Sequence, residues 1–579
     1  MDDSYLVLFN PDTSDPRSDL AALAANLAKR GMRLRHASST THIFASKQTP
    51  VMRLPQGALA VGRLFQKNGR AVDGASVPAE LAPDKLRGHV LDNCWGEYVF
   101  LQPESSGGPA LTVMRDPSGS VGCVYSFQNG GWFVTSDISL ARELGLYRQH
   151  VDWDFITYFV AHPNHKTRRT ALTDVYELLP GCSVCLRGHH ATTRTEWSPW
   201  SFVEPAKRFA DDAAAAGAIE ASVSTAVSAL AYEDETTVLE LSGGLDSSIV
   251  AACLQRTSTH VDCFNLSTPI PGADERHYAT RVADHLGLEL ETGVLPIEVA
   301  RFDFAPPPQS VGPCLTALQY ATDAAMQSVG DEKLSDSFFS GAGGDTVFCY
   351  LSTAAPAADA FRAHGMASGI TALKDLAELH QCTIWKASRL TLRKLLRSPP
   401  PPSKANRLFL APSVVVEASE AHPWFAGPDD ALPGDRERII GLAGTQLFRD
   451  AVPRSRTRAV RMPLLAQPVV ETCLRVPTWM WMRGGHNRAV ARTAFMHRLP
   501  AEIIDRRSKG SFIGYSGAVF ERNMPGMRAF LLEGHLQERG LLDATALRAV
   551  FDDTQRAYSN AMQRVFDLCM VENWVRHQA

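Results

Sequence analysis

The sequence predicts two architectures in one chain: an antiparallel β region up to about Pro205, then an α/β region built on a parallel sheet. Three observations carry this. Up to about Leu140, short apolar runs alternate with Gly, Pro and Asp turns, as in an antiparallel sheet. Val238 to Leu241 is an apolar run that breaks at Ser242, Gly243 and Gly244 and opens into a helix. Val261 to Ser267 follows as the next buried strand, and a strand–helix–strand unit returns parallel.

In chain order, Tyr5 to Phe9 reads as a strand. Ser18 caps a helix with Leu20, Leu23 and Leu27 on one face, Lys29 and Arg30 in the last turn and Gly31 as its stop. Trp95 to Leu101, Thr112 to Arg115, Cys123 to Phe127 and Trp132 to Thr135 are the clearest strands of the first region. RDPSG (115–119) and LLPGC (178–182) are turns by composition, and the region closes at WSPW, ending at Trp200. An Ala-rich helix runs to Ala231. Past the parallel strands, Asp274 and Glu275 open a helix with Tyr278, Val282 and Leu286 on its core face, stopped at Gly287. The stretch from about Leu373 to Asp435 reads as a helical insertion without a motif, and its SPPPP run (398–402) is extended.

Bulk properties narrow the function. The 579 residues exceed what one core holds. A 45% hydrophobic, 21% charged composition is that of a globular protein. A net charge of −4 with pI near 6.5 leaves no electrostatic footprint for nucleic acid. MDDSYLVLFNPD is no signal peptide, and no uninterrupted apolar stretch is long enough to span a bilayer. The 11 cysteines are scattered beside apolar residues, which suits a reducing compartment, and the cytoplasm is the expected location. Cys182 and Cys185 form a CxxC with no second pair at zinc spacing.

The chemistry sits in SGGLDSS (242–248). A strand, a Gly turn and a helix N-terminus make a nest of backbone N–H donors whose dipole favours a polyphosphate. Gly243 and Gly244 let the backbone approach the anion, Ser242, Ser247 and Ser248 add hydroxyls, and Asp246 offers a hard oxygen for a metal. No GKS or GKT follows, so this is not a Walker loop. FFSGAGGDTVFCY (338–350) repeats strand, Gly turn and helix, with Asp345 as a second carboxylate. Two carboxylates from separate loops suit Mg²⁺ on pyrophosphate, because Mg²⁺ takes few protein ligands and keeps phosphate and water for the rest.

SGGLDSS resembles the loop of the ATPases that split ATP into AMP and pyrophosphate. With WGEYVFL, RDPSG, FVTSD, LLPG, GAGGD, RMPLL (461–465), RAVAR (488–492) and LPAEIIDRRSKGSF (499–512), the chain is similar to the asparagine synthetase superfamily over nearly its whole length. That resemblance implies an Ntn-hydrolase-like, glutaminase-type sandwich over 1–205 and a pyrophosphate-loop synthetase domain over 206–579, with the insertion at about 373–435. It implies ATP and Mg²⁺ as cofactors, with metal on Asp246 and Asp345. Adenine would lie against Leu241 and Leu266, Ser340 and Gly341 would meet the nucleotide, and Lys509 would contact the α-phosphate and departing pyrophosphate. Arg488 and Arg492 fall near the family's K-x-x-x-R, and Asp274, Glu275, Tyr278 and Ala279 match its DE-x-x-YA. The family's nucleophilic cysteine after the initiator Met is replaced by Asp2, which implies no glutamine hydrolysis. Ala342 and Thr346 replace glutamates of the family's second loop.

These departures resemble the lasso-peptide cyclases, which adenylate an Asp or Glu side chain of a precursor peptide and close it onto the peptide's own N-terminus. That resemblance implies a precursor peptide as substrate and, as partners, a leader-binding protein and a leader protease. His486 is a candidate for handling the amine's proton. The alternatives are a β-lactam or amide synthetase acting on a small amino acid, an ammonia-dependent asparagine synthetase, and a scaffold without activity.

Overall fold

The computed structural model describes residues 4–11, 20–104, 108–270, 272, 274–313, 319–397, 405–416, 421–449, 452–507, 510, 512–552 and 560–578. Its first part is a pair of six-stranded antiparallel sheets. The strands are β1 (Tyr5–Phe9), β2 (Met32–Ala37), β3 (Thr41–Ser46), β4 (Val51–Arg53), β5 (Leu59–Gln66), β6 (Cys94–Glu104), β7 (Ala110–Arg115), β8 (Val124–Gln128), β9 (Gly131–Thr135), β10 (Tyr176–Glu177), β11 (Cys182–Arg187) and β12 (His190–Thr195). One sheet has the order β10-β8-β9-β1-β3-β2 and the other β12-β11-β7-β6-β5-β4.

Val7, Ile43 and Val134 of the first sheet meet Val61, Val99, Val113 and Val184 of the second in one buried cluster. Alternate residues face outward: Leu6, Leu8 and Phe133 pack under helices, while Tyr98, Phe100 and Met114 join a second core. Both faces of the inner strands are therefore covered, while the edge strands β2 and β12 stay largely exposed. This is why β1 is buried at all five positions and reads as an unbroken apolar run rather than an alternating one. The sandwich expected from the sequence is present. On β11, Cys182 is buried while Cys185 falls in the opposite phase, so the CxxC thiols lie on opposite faces of a strand and cannot share a metal.

The helices of this part are α1 (Leu20–Lys29), α2 (Pro83–Asn93), α3 (Ile138–Glu143) and α4 (Trp153–Ala161). The second part adds α5 (Asp212–Ala231), α6 (Leu245–Leu254), α7 (Arg276–Leu286), α8 (Gln319–Glu332), α9 (Gly344–Val347), α10 (Ala355–Leu379), α11 (Ile384–Leu396), α12 (Pro433–Arg449), α13 (Gln467–Leu474) and α14 (Ala489–Phe495). Its sheet has five parallel strands, β13 (Thr236–Glu240), β14 (His260–Ser267), β15 (Glu289–Val294), β16 (Ser337–Ser340) and β17 (Ala459–Arg461), in the order β15-β14-β13-β16-β17. The motif strands β13 and β16 are neighbours, so both Gly loops leave the same edge of the sheet side by side.

Leu373 lies inside α10, which starts at Ala355 and breaks at Gly365, so the helical segment begins earlier than the sequence suggested. The predicted Ser18 cap and the SPPPP run fall outside the described residues. α5 is long and apolar enough, by length and composition, to cross a membrane, although Glu220 interrupts its apolar run. Its Ala215, Ile219, Val223, Ala226, Val227 and Leu230 are buried in the core shared with the sandwich, which accounts for that composition.

Between β12 and α5 the chain packs rather than hangs free. Trp197 meets Trp424 edge-on at 5.4 Å and donates its indole N–H to Glu471, and Trp200 donates to the Trp424 carbonyl at 2.8 Å.

Candidate functional site

The first loop links the end of β13 to α6. Ser242 Oγ accepts from the Gly244 amide at 3.2 Å and meets Ser247 Oγ at 3.0 Å, while Ser248 Oγ donates to the Gly244 carbonyl at 2.7 Å. The two glycines play different parts. Gly243 has φ +75°, and a Cβ there would lie 2.6 Å from the Ala279 nitrogen, so it allows the loop to pack on α7 rather than an anion to approach. A Cβ on Gly244 would meet only Ser242 Oγ, at 3.3 Å. Leu241 is fully buried and its amide bonds the Phe264 carbonyl, so it offers no side chain to adenine, whereas Leu266 is half-buried.

The second loop links β16 to α9 and interlocks with the first. A Cβ on Gly341 would lie 2.5 Å from the Ser247 nitrogen, and one on Gly344 would lie 2.5 Å from Asp246 Cγ. Only residues without side chains let the loops touch there. Ser340 Oγ donates to Glu240 at 3.3 Å and accepts from the Ala342 amide at 3.2 Å. Glu240 also takes Arg454 at 3.0 Å, and Arg454 donates its other nitrogen to Asp323 at 2.8 Å. Burial pushes Asp323 up to about 6 against the pull of Arg454.

Between the loops lies a cleft of about 410 Å³. Among the described residues it is lined by Glu240, Asp246 and Asp345 with Arg454, Arg488, Arg492 and Arg506, a balance that suits phosphate together with a cation. One nitrogen of Arg488 lies 3.0 and 2.9 Å from the two Asp246 oxygens and 2.8 Å from Asp345. The two carboxylates predicted to hold Mg²⁺ therefore converge on one point, and a cationic nitrogen already stands there. The residues fit a divalent cation. Arg488 has φ +54° at the start of α14, which turns its guanidinium back into the cleft.

The remaining candidates divide. Arg492 lines the cleft, but its guanidinium is spent on the carbonyls of Asn487, Ile503, Ile504 and Arg506; burial and Arg488 pull it down to about 10. It braces the loop. His486 does not line the cleft: its ring nitrogens face the carbonyls of Gly484 and Asp505 at 3.1 and 3.2 Å. Lys509 and Asp2 lie outside the described residues.

A clamp, not expected from the sequence, holds Arg506 and Gly510, on either side of Lys509 in sequence. Glu275 pairs with Arg506 and accepts from the Gly510 amide, Arg506 donates to the Gly243 carbonyl at 3.1 Å, and its guanidinium lies 3.7 Å from the centre of the Tyr278 ring. From the sequence alone, Glu275 and Tyr278 serve equally well as helix start and core. The pair of arginines in DRRSKG was the available signal: Arg506 points in, and Arg507 points out to Gly484 and Glu378.

Asparagine synthase is the family that matches residues 218–576. The chain belongs to that family. Within this asparagine synthase fold, β13 through α14, the site just described and the C-terminal helices all lie in the matched stretch. A stretch of 127 residues is 32% identical to carboxyethyl-arginine β-lactam synthase of Streptomyces clavuligerus, covering 21% of this chain and about a quarter, 24%, of that protein. Two solved structures overlap it: the allosteric regulatory enzyme of purine biosynthesis, with 10% identity over 56% of this chain and 82% of that one, and glutamine phosphoribosylpyrophosphate amidotransferase from B. subtilis, with 9% identity over 53% and 76%. Both have a TM-score of 0.21, too low to bear on the architecture.

Proposed function

We propose that this asparagine synthase-like ligase is a macrolactam synthetase, which activates an Asp or Glu side chain of a peptide as its adenylate and joins it to the same peptide's N-terminal amine. The coarser reading, an ATP-dependent ligase that forms amide bonds, follows from the family. Asp246 and Asp345 would hold Mg²⁺, which supplies charge neutralisation on the leaving pyrophosphate. Ser242, Gly244 and Ser247 would face that anion, and Lys509, whose described sequence neighbours Arg506 and Gly510 are both held by Glu275, would meet the α-phosphate.

The observation that carries the choice of amine is the lining of the cleft. Among the described residues it contains no Tyr, His or Lys, Ala342 projects only a methyl, and Glu240, Asp246 and Asp345 each bond an arginine. With no uncommitted base among these described residues, the amine needs a neutral fraction of its own. A peptide N-terminus, with a pKa of about 7.7–8.0, is already roughly a tenth neutral at pH 7, whereas a lysine-like amine, near about 10.4, is almost wholly protonated. In the sandwich, burial pushes the thiols of Cys94 and Cys123 up to about 11 and that of Cys182 up to about 12, away from nucleophilic use. This supports an amine that is not released from glutamine within this chain. A leader-binding protein and a leader protease complete the proposed system.

The test is mass spectrometry of a cleaved candidate precursor peptide with this protein and Mg–ATP. Loss of one water from the peptide with AMP as co-product is expected, and neither should occur with Lys509→Ala. The β-lactam synthase match favours a second reading, a small amino-acid substrate. AMP formed from a free amino acid with the peptide mass unchanged would establish that reading instead.

A further inference from the structure

The helices α10, α11 and α12 enclose a groove of about 990 Å³. Its floor is apolar, with Leu376, Ala387, Leu390 and Ile440. Its rim is cationic, and the cations fall into two groups. Lys394 pairs with Glu437, Arg362 donates to the Leu395 carbonyl and Arg436 to that of Asp429. Lys386, Arg393 and Arg397 have no ionic partner among the described residues and are exposed. Lys386 and Arg393 stand at i and i+7 on one face of α11, and Arg397 follows directly after its last residue, Leu396. The same helix exposes Trp385 at 82% and Leu396 at 76%. An amphipathic helix that leaves both its cations and its apolar side chains uncovered has a face built for a partner.

The groove is joined to the nucleotide cleft through one helix. Arg436, Glu437 and Ile440 of α12 line the groove, and Thr445 and Phe448 of α12 line the cleft. Ile440 and Thr445 are separated by about 7.5 Å of helix rise. We propose that this groove seats an acidic, partly apolar peptide segment, with its carboxylates on Lys386, Arg393 and Arg397 and its apolar side chains on Leu376, Leu390 and Ile440. Taking that segment as part of the substrate peptide rests on the function proposed above. The apolar floor decides against a nucleic acid, whose phosphates would meet these cations and leave the floor bare.

The probe is a fluorescein-labelled 12-residue peptide with four glutamates and four leucines, titrated with the full-length protein and followed by fluorescence anisotropy. A counterpart with glutamine for every glutamate isolates charge. The acidic peptide should bind at least tenfold more tightly than the neutral one, and the advantage should shrink as salt rises. Lys386→Glu with Arg393→Glu and Arg397→Glu should abolish that preference. If the triple variant does not fold by circular dichroism, Arg393→Gln alone should weaken the acidic peptide about threefold and leave the neutral one unchanged. Equal affinity for the two peptides, or an unchanged preference in the variants, overturns the proposal. Displacement of the labelled peptide by a 12-nucleotide single-stranded RNA at lower concentration than by unlabelled peptide also overturns it, in favour of a nucleic acid. Binding needs no turnover, so the two readings fail separately. Macrolactam formation at unchanged KM in the triple variant would sink the groove alone, and peptide binding without macrolactam would sink the function alone.

Discussion

A methyl group at residue 243 would lie 2.6 Å from the Ala279 nitrogen and 2.7 Å from Tyr278 Cβ, on a backbone held at φ +75°. Gly243→Ala should therefore destabilise the protein by roughly 1–3 kcal/mol in urea unfolding, the scale of a forced left-handed residue. Gly244→Ala, whose Cβ would meet only the Ser242 hydroxyl at 3.3 Å, should cost less, within about 1 kcal/mol of the parent. Equal losses from the two would contradict the packing role given to Gly243. Asp345→Asn should lower AMP formation by about 100-fold or more, the scale of removing one preorganised electrostatic contact. Both aspartates were legible because their loops carry motifs. Arg488 was named only as a possible contact, since its bridge depends on a left-handed backbone and on residues 143 and 242 positions away, neither of which leaves a mark in local sequence. Leu241 misled for a related reason: an apolar residue ending a strand looks the same whether it faces a ligand or the core.

Arg506 and Gly510, on either side of Lys509 in sequence, are both held by Glu275 at the start of α7. Glu275→Gln keeps an acceptor but loses the charge that Arg506 answers. Hydrogen exchange of backbone amides in 504–512 should rise by about tenfold and AMP formation should fall, with the melting temperature nearly unchanged. Unaltered exchange would remove Glu275 from this role. Strands such as β1, β6, β13 and β14 and helices such as α5, α6 and α7 were readable from apolar runs and helix signals, because local pattern suffices for them. The clamp was not, because an acidic residue at a helix start is satisfied equally by the dipole and by a distant arginine. Only the fold separates the two.

At the scale of the molecule, the sandwich and the synthetase sheet share a core. Trp95, Tyr98 and Phe100 of β6 belong to the same buried cluster as Val223 of α5, Val250 of α6 and Val469 of α13. Glu97 of β6 pairs with Arg461 of β17 at 2.5 Å, both buried. A chain of 206–579 alone would expose this cluster and leave Arg461 unanswered. It should be insoluble or fail to show a cooperative melt, and a cooperative melt near that of the full chain would disprove the dependence. Stability also carries a pH signature from Asp359, which is buried, accepts from Gly434 and Thr478, and is pushed up to about 7 by burial and by Asp435. In the unfolded chain an aspartate ionises near 3.9, so the folded state holds the proton more tightly. The stabilisation from this group is full below about pH 4 and is lost as pH rises towards about 7. Melting temperatures between pH 5 and 8 should fall less in Asp359→Asn than in the parent, and parallel profiles would remove Asp359 as the cause.

The shared core also sets where this molecule can be cut and recombined. A chimera joined near residue 205 would place two unacquainted surfaces against each other and separate Trp197 and Trp200 from Trp424. The exposed face of α11 contributes only Ala387 and Thr391 as buried side chains, so sequence exchanged there disturbs little of the interior. On the peptide seat proposed above, substrate preference should be transplantable between relatives by grafting the surface of one helix, while the two halves pass on together as a single inheritance.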